Sequence, residues 1–276
     1  MGFSVADGPS RTQLFESSGT NVYYVGQLVA YTQASKAATA GCVVPLAVPA
    51  GLCDATNTQV IAGVVTGFNL RTGGTYSSTS LSSTATGVTT QADQLARDWA
   101  GNGKGYAIGD PQLLIEVALI NDWTLIRGPV YAAAVGTAPT LLTNTESGET
   151  TGGTTAITVN TIPYTNIAAL STLYVRTGLN AGLHRVTDST STTEPSVTHA
   201  FPYDFAVGDT MIQVPFKKGF SKIYVSGPGL YVNSNQTPDA NYFGAIVEAF
   251  DLATAGRETV TFRFTPEHFG FMRASS

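Results

Sequence analysis

Short runs of β-branched and apolar residues, each ended by Gly, Pro, Asn or Asp, recur along almost the whole chain, and this spacing constrains the fold more than any other feature. The runs are 26–32 (GQLVAYT), 59–68, 112–120, 129–135, 155–160, 172–176, 183–188, 196–201, 210–216, 221–227, 243–250 and 258–264. Turn signals at intervals of about 8–12 residues between short strands predict a β-sandwich or barrel. Helical periodicity is nearly absent. One helix is expected over 90–101 (TQADQLARDWAG), where Thr90 caps, Asp93 and Arg97 pair at i,i+4, Leu95 and Trp99 share a face and Gly101 stops the element.

Composition agrees. Charged residues make up 12% of the 276, while 43% are hydrophobic and 29 are glycine. The charged share is about half of the roughly 25% usual for soluble domains. Such a chain suits β-structure, in which branched residues fill pleated surfaces and glycines serve turns. It also suits a surface that partly faces other proteins, because charge is depleted at interface cores.

Two Thr/Ser-rich stretches, 75–90 and 143–155, and a shorter one, 187–196, interrupt the strands. Long polar loops of this kind read as arms that lie over neighbours. A faint repeat links residues 26–120 to 229–264: a Gly-led strand, a strand with Gly beside aliphatic residues, then an apolar closing strand. The expected architecture is all-β. Residues 1–135 with 217–276 form a β-barrel or sandwich body, and residues 136–216 form an inserted β-barrel.

The net charge of −5 and 14 scattered basic residues, adjacent only at Lys217–Lys218, argue against a nucleic-acid partner, which needs clustered cations. No basic segment followed by an apolar run opens the chain, so no signal peptide is expected. Ala6 stands where a myristoylation site needs Ser or Thr. No apolar run is long enough for a membrane span. Cys42 and Cys53 flank a hairpin-like segment and read better as small buried hydrophobes than as a disulfide, which stays open.

Motifs for catalysis are not found: there is no GxSxG, P-loop, HExxH or CxxC. His184 and His199, on successive strands, could meet Asp188 or Asp204 at a metal, but no spacing is diagnostic, and no metal or cofactor is expected. Glycoside hydrolysis needs two carboxylates about 5–9.5 Å apart. Glu116 and Glu248, set among apolar residues, read instead as paired or contact positions. The sequon Asn235-Gln-Thr reads as chance. Aromatic residues gather near the end of the chain, at 240–250 and 262–272. Phe262 and Phe264 alternate with Arg263 as core, whereas Phe269 and Phe271 read as a tail that docks on a neighbour.

Residues 173–214 carry a resemblance. The run "LYVRTGLNAGLHRVTD", a Thr-rich hairpin, "FP" and then "GDT" into a strand resembles a β-element of tailed-bacteriophage structural proteins. The flanking repeat is similar to the small barrels of capsid decoration, or cement, proteins. The resemblance implies a non-enzymatic protein made in the host cytoplasm that binds the outside of an icosahedral head and strengthens it. Its partners would be the major capsid protein and further copies of itself, a trimer being favoured. Candidate contacts are an N-terminal arm over residues 1–20 (Phe3, Leu14, Phe15), whose removal should leave the body folded, together with the Thr/Ser loops and the tail (Phe269, Phe271). Alternatives are a head fibre or glycan-binding receptor protein, a tail-tube or connector component and, last, a polysaccharide-cleaving enzyme.

Within that stretch, Gly178, Asn180 and Gly182 are the residues a tight turn uses to reach positive φ. The turn leads into a strand and not a helix, which argues against a phosphate loop. His184 and Arg185 fall on opposite faces of that strand.

Overall fold

The computed structural model describes residues 2–17, 22–32, 42–46, 59–70, 88–89, 113–132, 134–145, 155–160, 171–187, 194–227, 229–235 and 242–269. The protein is all-β, and among the described residues the one helical element is a 3-10 turn, Pro266–Phe269. The helix expected over 90–101 lies outside them. The chain divides into two compact units: residues 1–127, 228–230 and 263–276, and residues 128–227 and 231–262. The segment 136–216, expected as an insertion, belongs to the second unit together with 217–227 and 231–262.

The first unit is built from β1 (Ser4–Asp7), β2 (Arg11–Ser17), β3 (Val22–Tyr23), β4 (Leu28–Thr32), β5 (Cys42–Pro45), β6 (Gln59–Leu70), β7 (Val88–Thr89) and β8 (Leu113–Leu119). Strands β2, β5, β4, β6 and β8 close a barrel in that order, with only the β2–β5 pair parallel. Closure leaves no free sheet edge and one interior. Phe15, Tyr23, Val29, Val43, Ala62, Val65, Ile115 and Val117 fill it, and Tyr31 and Leu119 pack against them. Tyr23 places its hydroxyl in this interior and satisfies it by donating to Val43 O at 2.6 Å.

Residues expected to form an N-terminal arm are strands of this unit. β1 pairs antiparallel with the start of β9 (Leu125–Tyr131), and six residues of β2 pair with β8. The alternation of side chains along β2 turns Phe15 inward, where it meets Tyr31 edge-on at 5.6 Å, and turns Leu14 out to 44% exposure.

The second unit takes most of a seven-strand sheet whose path runs β14 (Gly219–Ile223), β17 (Phe243–Asp251), β18 (Thr259–Phe264), β9, β16 (Tyr231–Asn233), β15 (Val225–Ser226), with β16 parallel to β9 and β1 paired off the path to β9 residues 125–127, which belong to the first unit. Its second component is the sheet β10 (Leu141–Thr143), β13 (Thr210–Val214), β11 (Thr172–Val175), β12 (His184–Val186). Isolated bridges Thr187–Val197, Ala156–Ser196 and Asn144–Val159 continue it from β12 back to β10, so the four strands curl into a small ring. Leu142, Ile157, Val159, Leu173, Val175, Val197, Phe201, Phe205 and Met211 fill the ring. One end is sealed by buried polar groups: the Ser171 and Thr187 hydroxyls lie 2.5 Å apart, and Gln213 Nε2 donates to Ser171 Oγ at 2.9 Å. The other end carries the turns of interest.

Some strand bounds differ from expectation. The strand expected at 129–135 runs over Leu125–Tyr131, and 155–160 and 196–201 make only isolated bridges, two each. The run 221–227 is split between β14 and β15 at Tyr224. Only Cys42 of the two cysteines lies within the described residues, as backbone of β5.

Candidate docking site

At the open end of the ring, β11 passes to β12 through residues 176–183, and residues 201–209 lead into β13. The first turn closes through Val175 N to Leu183 O and Gly182 N to Val175 O, each 2.9 Å. Gly178 and Gly182 have φ of +84° and +85°, so the sequence places glycine where an L side chain would be strained. At Gly178 a Cβ would also lie 2.2 Å from the Asp209 carboxylate. The second turn is held by Asp209, whose backbone N–H donates to Ala206 O and whose Oδ2 accepts from Ala206 N, both at 3.0 Å.

Buried polar side chains weld the two turns to each other and to the end of β10. Asn180 has no exposed surface. Its Nδ2 donates to Tyr203 O at 2.7 Å, and its Oδ1 accepts from Tyr203 N at 3.2 Å. Asn144, equally buried, accepts from Gly208 N at 2.9 Å through its backbone carbonyl and donates from Nδ2 to Ala206 O at 3.1 Å. Thr177 Oγ1 accepts from Thr210 N at 2.8 Å. Beneath the turns, Arg176 donates to Leu252 O at 2.8 Å and forms an ion pair with Glu258 that is almost wholly buried. Hydrogen bonds at this density fix a loop that would otherwise be mobile.

These turns expose apolar side chains. Leu179 is 74% exposed, Val207 65% and Tyr203 54%, and each is adjacent in sequence to, or lies within, the hydrogen-bonded turns just described. Turn positions are ordinarily taken by Gly, Asn, Asp, Ser and Pro. A Leu between Gly178 and Asn180 and a Val before Gly208 are the sequence signal for this site. The sequence reading identified the turn but not its exposed side chains.

The other expected site residues are placed as follows. Phe3, Phe15 and Phe269 are interior, at 3%, 6% and 6% exposure, so burial corrects their assignment as surface contacts. Leu14 is exposed, and Phe271 lies outside the described residues. His184 packs edge-on against Phe250 at 4.9 Å, while Arg185 lies over the Phe201 ring at 5.1 Å, on the opposite face of the strand. Burial, with Lys218 and Arg185 nearby, holds His184 below the ordinary histidine range. His199 is exposed beside Thr198 Oγ1. Asp188 lies outside the described residues, among which no three His, Cys, Asp or Glu side chains group as a metal site. Glu116 sets its carboxylate against Gly67, and Glu248 is exposed on β17. A surface cleft of about 360 Å³ in the first unit is lined by Phe3, Val5, Val25, Val64 and neighbouring Ser and Thr residues, with no charged group.

The chain matches no protein-family model, no curated protein and no solved structure. No helix among the described residues is long and apolar enough to cross a membrane.

Proposed function

We propose that this chain is a structural protein of a tailed-phage virion that binds the outer surface of the head and stabilises it, without catalysis. The observation that carries the reading is the pair of turns at the open end of the ring, which hold Leu179, Tyr203 and Val207 in solvent on a hydrogen-bonded frame. Held on a hydrogen-bonded frame, these groups offer apolar area that a partner surface can bury. Full burial of a large apolar side chain is worth about 1.5–3 kcal/mol before association costs. Three such groups per copy, repeated over a lattice and linked through a homotrimer, add up by avidity. The partners in this reading are the major capsid protein and further copies of the chain, on the exterior of the virion. The all-β architecture and the low charge support the same role.

Electron microscopy of purified virions labelled with antibody to this chain tests it. Label over the head supports the reading. Label on the tail, or none on the particle, overturns it in favour of a tail component or a non-virion protein.

A further inference from the structure

We infer that the outer edge of β14 is a docking strip for an extended protein segment bearing Asp or Glu side chains, which adds to the sheet as a further strand. The inference stands apart from the head-binding reading, which the turn pair carries. β14 ends the sheet path, and β17 is its one strand neighbour among the described residues. In an antiparallel pair alternate residues turn their backbone N–H and C=O groups away from the partner strand. One side of Gly219–Ile223 therefore presents donors and acceptors that a further strand can pair. Sheet edges take up extended peptides through such backbone hydrogen bonds.

The side chains select the segment. Ser221 and Ile223 turn inward, at 7% and 0% exposure, whereas Lys218, Phe220 and Lys222 are exposed, Phe220 to 58%. Residues 217–223 contain three lysines and no acid, in a chain of net charge −5. The Lys222 ammonium lies 4.1 Å from the centre of the Tyr242 ring, and that of Lys218 lies 6.0 Å from the centre of Phe250. Aromatic faces hold ammonium groups in place and leave their charge in force. Glu248 is exposed on β17 one residue past Val247, the partner of Gly219, and so stands at the Lys218 end. Opposite Lys222 is Gly244, which carries no side chain. A second copy of β14 is a poor complement, because pairing the two edges brings together two exposed lysines from each copy, and like charges on adjacent strands repel. Phe220 and Lys222 stand two residues apart on one face, with Lys218 just ahead of the strand. The complement is a strand that reads acid-x-apolar-x-acid.

The test follows amide hydrogen exchange in the purified full-length protein with the peptide Ac-TETVTET-NH2 at millimolar concentration. The controls are Ac-TKTVTKT-NH2 and the acidic peptide with every backbone amide N-methylated. The acidic peptide should slow exchange at 219–223 and bind at least about tenfold more tightly than the lysine peptide. Its affinity should fall steeply between low salt and about 0.5 M NaCl. K218E/K222E should reverse the preference between the two peptides, and F220A should weaken the acidic one about tenfold. Both variants should keep the wild-type unfolding temperature, because the substituted side chains are exposed. Absence of protection at 219–223, equal protection by the N-methylated peptide, or an unchanged preference in K218E/K222E overturns the strip. Protection that rises with protein concentration in the absence of peptide overturns it in favour of a second copy. Binding of a DNA oligonucleotide that K218E/K222E abolishes, with no protection by the acidic peptide, overturns it in favour of a polyanion.

Discussion

Arg176 and Glu258 form an ion pair whose side chains are 7% and 0% exposed, and it fastens the turn after β11 to the hairpin between β17 and β18. The same guanidinium donates to Leu252 O, while the second Glu258 oxygen has no hydrogen-bond partner among the described residues. Buried charges of this kind specify an arrangement more than they stabilise it, because desolvation offsets most of the attraction.

That balance gives the first prediction. Arg176→Met alone leaves an uncompensated carboxylate in the interior and should cost about 3–5 kcal/mol. The double variant Arg176→Met/Glu258→Leu removes both charges and the partnerless oxygen, and should recover most of that loss. Urea unfolding of the two singles and the double measures the coupling; strictly additive effects would show that the charges do not act as a pair.

Two glycines in one turn should differ when each is changed to alanine. Both have positive φ, and that conformation costs an alanine about 1–2 kcal/mol. Gly182 has open space around it, so Gly182→Ala should cost about that and no more. In Gly178→Ala the new Cβ would displace the Asp209 carboxylate and release Ala206 N, so the loss should be larger by roughly the 1–3 kcal/mol of a broken buried hydrogen bond. Equal thermal shifts for the two variants would contradict the contact.

Asn180→Ala should loosen the docking turns without opening the ring core. It leaves the Tyr203 N–H and C=O without their side-chain partner, a loss of about 1–3 kcal/mol. Amide hydrogen exchange should rise first at 178–183 and 202–208, and protection of Leu173 and Met211 should hold. Uniform loss of protection across the ring would mean that the network is part of the core.

The adjacent pair Leu14 and Phe15 separates surface from interior. Phe15→Ala empties a barrel position and should cost about 3–5 kcal/mol. Leu14→Ser changes an exposed side chain and should stay within about 0.5 kcal/mol. The reverse order, read by chemical denaturation, would place the strand in the other register. By the same logic, deletion of residues 1–20 unfolds the first barrel instead of trimming an arm.

Acid should weaken the first unit through His268. This side chain is 2% exposed, and burial holds its pKa below the ordinary 6.5, with Glu267 acting in the opposite direction. The unfolded chain therefore takes up a proton first as pH falls. Stability is full above the unfolded value and is lost as pH drops from 6.5 through the lowered folded value. His268→Gln should flatten the decline in urea midpoint over that window. His184, in the second unit, shifts in the same direction, so a slope from that unit persists. An unchanged profile in the variant would remove His268 as the cause.

Much of the architecture is legible in the sequence because it is written locally. Phe262 and Phe264 alternate with Arg263, and β18 shows that alternation as buried and half-buried positions. The glycines at 178 and 182 announced positive φ. Elements whose reason is distant were missed. "RTQLFES" is polar enough to read as an arm, and it is a strand because β8 supplies the apolar partner face some hundred residues later in the chain. Gly128 and Pro129 look like a break, yet β9 runs through both, its Val130 N–H bonding to Glu258 O at 2.9 Å. The docking turns combine both kinds. Their glycines are a local signal, but the Asn180 amide meets Tyr203 only after the chain has passed through β12 and the bridges at Ser196 and Val197.

The closed barrel and the curled four-strand sheet draw on continuous stretches of chain, roughly 11–119 and 141–214, whereas the seven-strand sheet combines β1 and β9 with strands from 219–264. During synthesis each ring has all its partners soon after its last strand leaves the ribosome. The sheet must wait, since β9 emerges about a hundred residues ahead of β16 and further still ahead of β18, its two neighbours on the sheet path, with only β1 already made to pair with its first residues. Early closure of the rings keeps most apolar surface covered while β9 waits, and the nascent chain is most exposed to aggregation along that one strand. A chain that stops short of β16 would thus leave the ribosome with the barrel and the curled sheet complete and with β9 paired only to β1, through its first residues.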